Sequence, residues 1–374
     1  MTSRSPSVAG DVRALFAAKS VDLVEVGVLQ PADPFLDIAG EDLRRRIFLT
    51  ESETGQALCL RPEFTIPVCL DHIASQAGTP RRYGYLGEVF RQHRDGSNEF
   101  FQAGIEDLGD TDTAAADARL VADAHDLLAK AVPQASLKLT IGDQSVFEAV
   151  LAALGLPRGW RMRLARAFGS HEMLDAALAD LANPPRNGQL AGPVALLAVD
   201  GDAEGLTAQI AKGMEQAGLP LSAGRTPAEI ARRLIEKVQL RSVRLSDDAF
   251  AALKSFLAID TPLAGAADAL RDFASEAGLE LGGALDLFAE RAQAIAGHGL
   301  ASDAVRYDAA FGRPLDYYTG LVFEIGAEGT DGRPLAGGGR YDRLLTLLGA
   351  KQAIPGVGFS VWLDRVEALS EVRA

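Results

Sequence analysis

Cysteine is scarce in this chain: Cys59 and Cys69 are the only two among 374 residues. That excludes a disulfide-stapled scaffold. A zinc site would need a second pair of ligands beyond these thiols and the nearby His72. Both are read as buried thiols, and no metal is expected. Long apolar runs are missing too. No stretch reaches 18 residues, so no membrane-spanning helix is expected. The opening MTSRSPSVAGDVRALFAAKS lacks a continuous apolar stretch followed by a small-residue cleavage site. No export signal is expected, and the cytoplasm is the expected location. Positive charge is short: 37 Lys and Arg stand against 51 Asp and Glu, a net charge of −14. A nucleic-acid binder draws much of its affinity from Lys/Arg–phosphate contacts, so only local basic patches could serve that purpose.

Three such patches exist. Arg44-Arg45-Arg46 reads as a solvated face or turn. RGWRMRLAR (158–166) and RTPAEIARRLIEKVQLR (225–241) read as amphipathic helices with an exposed basic side. The rest of the pattern is mixed. Residues 8–19 predict a helix. VDLVEVGVLQP (21–31) alternates like a strand and is closed by Pro31. A short strand ends at Arg61-Pro62, after which Thr65 can cap a helix starting near Pro67. RRYGYLGEVFRQ (81–92) and NEFFQAGIEDLG (98–109) flank the polar turn His93–Ser97 and predict a hairpin. Residues 113–131 have helical spacing, and 137–143 return to strand. From 156 to 275, Ala-, Leu- and Arg-rich helical runs dominate. Residues 277–297 predict another helix, followed by strands.

Five segments recur in a fixed order: LRPEFT (60–65), YLGEVFRQ (85–92), FFQAGIEDLG (100–109), RPLDYYTGLVFEI (313–325) and GGGRYDR (337–343), with GVGFSVWLDR (356–365) after them. Together they resemble the catalytic core of histidyl-tRNA synthetases. The pattern is more similar still to that family's synthetase-like paralogues, the regulatory subunits of ATP phosphoribosyltransferase. The resemblance covers nearly the whole chain and is weakest over 156–275. It implies an α+β fold: a class II aminoacyl-tRNA synthetase-like core with a mostly antiparallel mixed sheet flanked by helices. The expected division is a first core part (1–155), a helical insertion (156–275) and a second core part (276–374). A synthetase continues into an anticodon-binding domain. This sequence ends at Ala374, so no such domain is expected, and tRNA is not an expected partner. In the family the first motif, here Val21–Pro31, builds a dimer interface.

The resemblance also implies a free-histidine pocket. A zwitterionic amino acid needs a carboxylate for its ammonium, a cation for its carboxylate and polar groups for its imidazole. Glu63 and Thr65 would meet the ammonium, with Gln102 sharing in its shell. Glu106, on the same strand face as Gln102, would accept an imidazole N–H. Tyr318 and Tyr341 would wall the ring. Arg91 and Arg313 are the candidates for the carboxylate. Tyr317 should point to the opposite face, into core or interface. Gly337–Gly339 would allow a positive φ and close backbone approach in a ligand-facing turn.

Departures from the synthetase pattern shape the functional expectation. The loop Gln92–Phe101 is short, with Asp95 and Glu99 offsetting His93 and Arg94. Phe64 stands where a synthetase has Gly. Trp362 replaces a small residue and could fill the space adenine would need. Arg365 resembles the arginine that grips ATP, a vestigial nucleotide site; its other reading is a surface ion pair. The acids of GIEDLGDTDT (104–113) do not suit a phosphate loop, so transfer chemistry is not expected on this chain. The expectation is a non-catalytic, histidine-binding regulatory subunit without cofactor. It would be homodimeric within a larger hetero-oligomer and would pair with a short-form catalytic subunit in the first step of histidine biosynthesis. The alternatives are a free-standing histidine-activating ligase and an RNA-sensing pseudo-synthetase.

Overall fold

The computed structural model describes residues 6–94, 96–182, 192–218, 226–242, 245–300, 304–313, 315, 317–330 and 332–373. Asp95, invoked above for the short loop, lies outside them, as do Arg225 of the second basic helix and Pro314 and Asp316 of the RPLDYYTG segment.

Two long strands form the backbone of the sheet. Arg81–Phe90 and Glu99–Leu108 pair antiparallel along their full length, from Arg81 opposite Leu108 to Phe90 opposite Glu99. Nine strands follow in the order Asp22–Leu23, Arg81–Phe90, Glu99–Leu108, Gly356–Trp362, Ala336–Arg340, Leu321–Ala327, Leu137–Asp143, Val305–Asp308 and Asp260–Pro262. Only two neighbouring pairs are parallel, Asp22–Leu23 with Arg81–Phe90 and Leu137–Asp143 with Val305–Asp308. One face is covered by the helix Thr113–Ala131, which buries Leu120, Val121, Ala124, Leu127 and Leu128. Its start is fixed by Asp112, whose carboxylate accepts from Ala115 N at 3.1 Å. The helix Gly283–Gly297 packs beside it. Expected from residue 277, that helix begins at Gly283 because Gly278 and Gly282, at φ 63° and 52°, interrupt the chain.

The segment 21–31 departs from the single strand expected. Asp22–Leu23 joins the edge of the large sheet, whereas Leu29–Pro31 joins a separate sheet with Ala57–Leu60 and Leu49–Glu51. Arg61 holds the bend between them. Its guanidinium donates to the carbonyls of Val26, Gly27 and Glu88, the last at 2.6 Å from Nη2.

Among the described residues between 158 and 277 lie seven helices and the strand Asp260–Pro262. Pro193–Asp200, Ala203–Gln216 and Pro227–Ser242 share a small core of Ala198, Leu206 and Ala231. Phe256, Leu263, Leu270 and Phe273 belong instead to the main core under the sheet. That core encloses an ionic cluster. Arg291 donates from Nε to Asp117 Oδ2 at 2.6 Å and from Nη1 to Asp143, and Arg340 Nε reaches Asp117 Oδ1 at 2.8 Å.

Candidate functional site

The strand Ala57–Leu60 runs through Arg61-Pro62 into the helix Thr65–Ser75. Thr65 was expected to cap this helix. Glu63 does so instead: its carboxylate accepts from Thr65 N at 2.7 Å and Ile66 N at 2.9 Å. A carboxylate satisfies the free donors at a helix start better than a hydroxyl, because it is also favoured by the helix dipole. Thr65 Oγ1 is thereby released to donate to Glu106 Oε1 at 2.7 Å. The other oxygen of Glu106 accepts from the Tyr341 hydroxyl. Glu106 has no exposed surface, and burial pushes its carboxyl up to about 8. Burial raises Glu63 as well, against the pull of its two backbone donors.

Gln102 shares the strand face of Glu106, as the two-residue period of a strand requires. Its Oε1 is buried with no hydrogen-bond partner among the described residues. Such a group is costly unless something satisfies it.

Beneath these side chains the sheet is bare. The three glycines expected in a turn lie in the strand Ala336–Arg340, none at positive φ. Their role is close approach. A Cβ on Gly337 would fall 2.0 Å from Arg313 Nη1, and one on Gly339 would fall 2.9 Å from the Tyr318 ring. In the next strand, Gly358 sits opposite Glu106, where a Cβ would be 1.7 Å from its Oε2, and a Cβ on Gly356 would fall 2.3 Å from the Tyr341 ring.

The result is a cavity of about 100 Å³. Glu63, Thr65, Arg91, Gln102, Arg313, Tyr318 and Tyr341 all line it. Glu106 does not; it sits one layer below, with both oxygens engaged by Thr65 and Tyr341. Arg91 Nε donates to Pro62 O at 2.7 Å, and Arg313 pairs with Glu324. Trp362 stands between two cations, 5.8 Å from the Arg313 guanidinium carbon and 4.5 Å from that of Arg365. Arg365 forms no ion pair among the described residues. It donates to Pro334 O at 2.6 Å, and burial, with Arg333 and Arg91 nearby, pushes it down to about 10.

Sequence reasoning missed several lining residues. Tyr317, expected on the far face, lines the cavity beside Tyr318, with ring centroids 5.1 Å apart. Strand alternation does not apply, because Tyr317, Tyr318 and Thr319 do not lie in a strand. Asp42 and Arg46, paired at 2.8 Å, close the rim, so part of the first basic patch faces the cavity. Ser360 contributes from the strand after Gly358. The acids of 104–113 have structural roles: Asp107 and Asp110 hold Arg119, and Asp112 caps the following helix. Cys59 and Cys69 are buried free thiols.

A mostly antiparallel sheet carrying a glycine-floored cavity at the turn after LRPE defines the class: a class II aminoacyl-tRNA synthetase-like protein. The family model described as histidyl-tRNA synthetase matches residues 2–240 and 225–366. Among solved structures, an ATP phosphoribosyltransferase regulatory subunit/histidyl-tRNA synthetase from Bacillus halodurans aligns with a TM-score of 0.66 at 21% identity, over 97% of this chain and 78% of that one. A histidyl-tRNA synthetase from Nostoc sp. PCC 7120 aligns with a TM-score of 0.64 at 16% identity, over 98% and 71%. Within the class, curated relatives are more specific. The ATP phosphoribosyltransferase regulatory subunit of Mesorhizobium japonicum is 76% identical over 99% of both chains, and that of Chelativorans sp. is 63% identical over 98% of both. The chain belongs to the family of ATP phosphoribosyltransferase regulatory subunits.

Proposed function

We propose that this regulatory, non-catalytic subunit binds free L-histidine in the cavity over the glycine floor and conveys its presence to a short-form catalytic subunit of ATP phosphoribosyltransferase. The observation that carries this reading is the pairing of a buried, unsatisfied Gln102 Oε1 with two buried carboxylates, ringed by guanidinium groups. An ammonium finds Glu63, Gln102 and the Thr65 hydroxyl. A carboxylate finds Arg91 and Arg313. A small ring finds Tyr318 and Tyr341, with Glu106 behind Tyr341 ready to accept through a shift of either hydroxyl. Cytoplasmic location and homodimerisation through 21–31 belong to the same proposal. Leu23, Val28 and Leu29 in this segment, and Leu49 in the small sheet it joins, are exposed apolar side chains.

The proposal is tested by titration calorimetry with L-histidine, together with a phosphoribosyl-transfer assay of a short-form catalytic subunit with and without this chain. Saturable binding, activity that requires the added chain, and inhibition by histidine are expected. Gln102→Ala should weaken histidine binding and blunt inhibition while leaving activation by assembly in place. Unchanged affinity in that variant, or inhibition untouched by it, would overturn the assignment of this cavity.

A further inference from the structure

A second cavity, of about 390 Å³, lies against the first. The two share Arg313, Leu315, Tyr317 and Tyr318 as a common wall. Its opposite side is the helix Arg158–Ala167, which buries Trp160, Leu164 and Ala167 and presents Arg158, Arg161, Met162, Ala165 and Arg166 to the cavity. Arg343 closes one end. The spacing of Arg158, Arg161 and Ala165 is that of one helix face.

The charge here runs against the chain. In a protein with a net charge of −14, five arginines line one cavity, and Glu148 is the only acid among the described lining residues. Glu148 is already occupied, accepting from Gln144 Nε2 at 3.1 Å. Arg158, Arg161, Arg166 and Arg343 form no ion pair among the described residues, and Arg161 Nε is buried without a hydrogen-bond partner. Arg163, on the same helix but outside the cavity, behaves differently: it pairs with Asp180 and lies over Trp160. Elsewhere, arginines around a surface hollow are neutralised, as Arg81, Arg82 and Arg119 are by Asp22, Asp107 and Asp110. Among the described residues, the second cavity gathers four guanidinium groups without an ion pair. Guanidinium forks match phosphate oxygens, and the volume lies in the range of roughly 300–1,000 Å³ that holds small organic ligands. Of the remaining lining, Met162, Leu315, Tyr317 and Leu347 are apolar or aromatic and suit an uncharged ring.

We propose that this second cavity binds a phosphorylated small molecule of nucleotide size, its phosphates on Arg158, Arg161, Arg166 and Arg343 and its uncharged portion against Met162 and Tyr317. The site stands independently of what fills the smaller cavity.

The test titrates the full chain with ATP, AMP, ribose 5-phosphate and inorganic diphosphate at two salt concentrations. Saturable binding of at least one organic phosphate, weakening with salt, is expected. Tighter binding of ATP or AMP than of ribose 5-phosphate assigns a nucleotide; the reverse assigns a sugar phosphate. The double variant R161Q/R343Q should lose about ten-fold or more in affinity, since hydrogen bonds to charged groups are worth more than the factor-of-ten energy. Arg163→Gln and Arg365→Gln should stay near the parent value. The exposed Arg158→Gln repeats the measurement should the double variant fail to fold. The proposal is overturned if no organic phosphate binds, if R161Q/R343Q binds unchanged, if Arg365→Gln alone removes binding, or if only a polynucleotide binds.

Discussion

Burial favours the neutral form of the Glu106 carboxyl. It sits at about 8, against an ordinary glutamate value of about 4.3, because burial penalises the charged form. An acid raised in the folded state binds more protons folded than unfolded between those two values. Its contribution to stability is therefore full at low pH and falls as pH rises from roughly 4.3 to 8. Glu106→Gln, which mimics the protonated carboxyl, should flatten that part of the profile, as read by urea melts from pH 5 to 9. A cationic ligand group nearby would favour the carboxylate instead. Binding of histidine at pH 7 is then expected to release protons, seen as buffer-dependent heats in calorimetry and absent in Glu106→Gln. The residue types of this site were legible in the motifs, down to seven of the lining residues. What was not legible was division of labour. A sequence shows Glu63, Thr65 and Glu106 as three polar groups near a turn. It does not show that one caps the helix, one donates and one lies beneath the surface, because those roles depend on which partner each side chain reaches first.

Elements were legible where a single period governs them. The hairpin of Arg81–Phe90 with Glu99–Leu108 and the helix Thr113–Ala131 lie within a residue or two of their expected bounds. Segment 21–31 was not, because its alternation serves two sheets and the break is set by Arg61, distant in sequence, gripping the carbonyls of Val26 and Gly27. The ionic cluster was equally invisible, since its members come from four separate elements. Arg291 there is 1% exposed and contacts Asp117 and Asp143. Removing one partner of a buried ion pair leaves an uncompensated charge. Arg291→Met should cost about 3–5 kcal/mol in chemical denaturation.

For the molecule as a whole, the exposed side chains Leu29 (57%) and Leu49 (60%) lie on the two outer strands of the small sheet, with Ala57–Leu60 between them. Light scattering at micromolar concentration should give a dimer, and Leu29→Asp with Leu49→Asp should give a monomer. Trp362, wedged between Arg313 and Arg365, lines the cavity where the resemblance leads one to expect adenine to need space. Histidine-dependent ATP–pyrophosphate exchange by the pure protein should therefore be absent; robust exchange would establish the ligase reading instead. A mutational survey of the entire chain by alanine would meet one inversion of its usual logic. Alanine scanning reads importance by subtraction, so a site is mapped through the atoms it loses. Here the cavity rests on positions that have no atoms to lose. At Gly358, Gly356 and Gly337 alanine is an addition, and the added methyl would displace Glu106, Tyr341 or Arg313 from above. Sensitivity at those positions reports the side chain overhead, so the map of this site is drawn partly in residues that contribute no side chain to it.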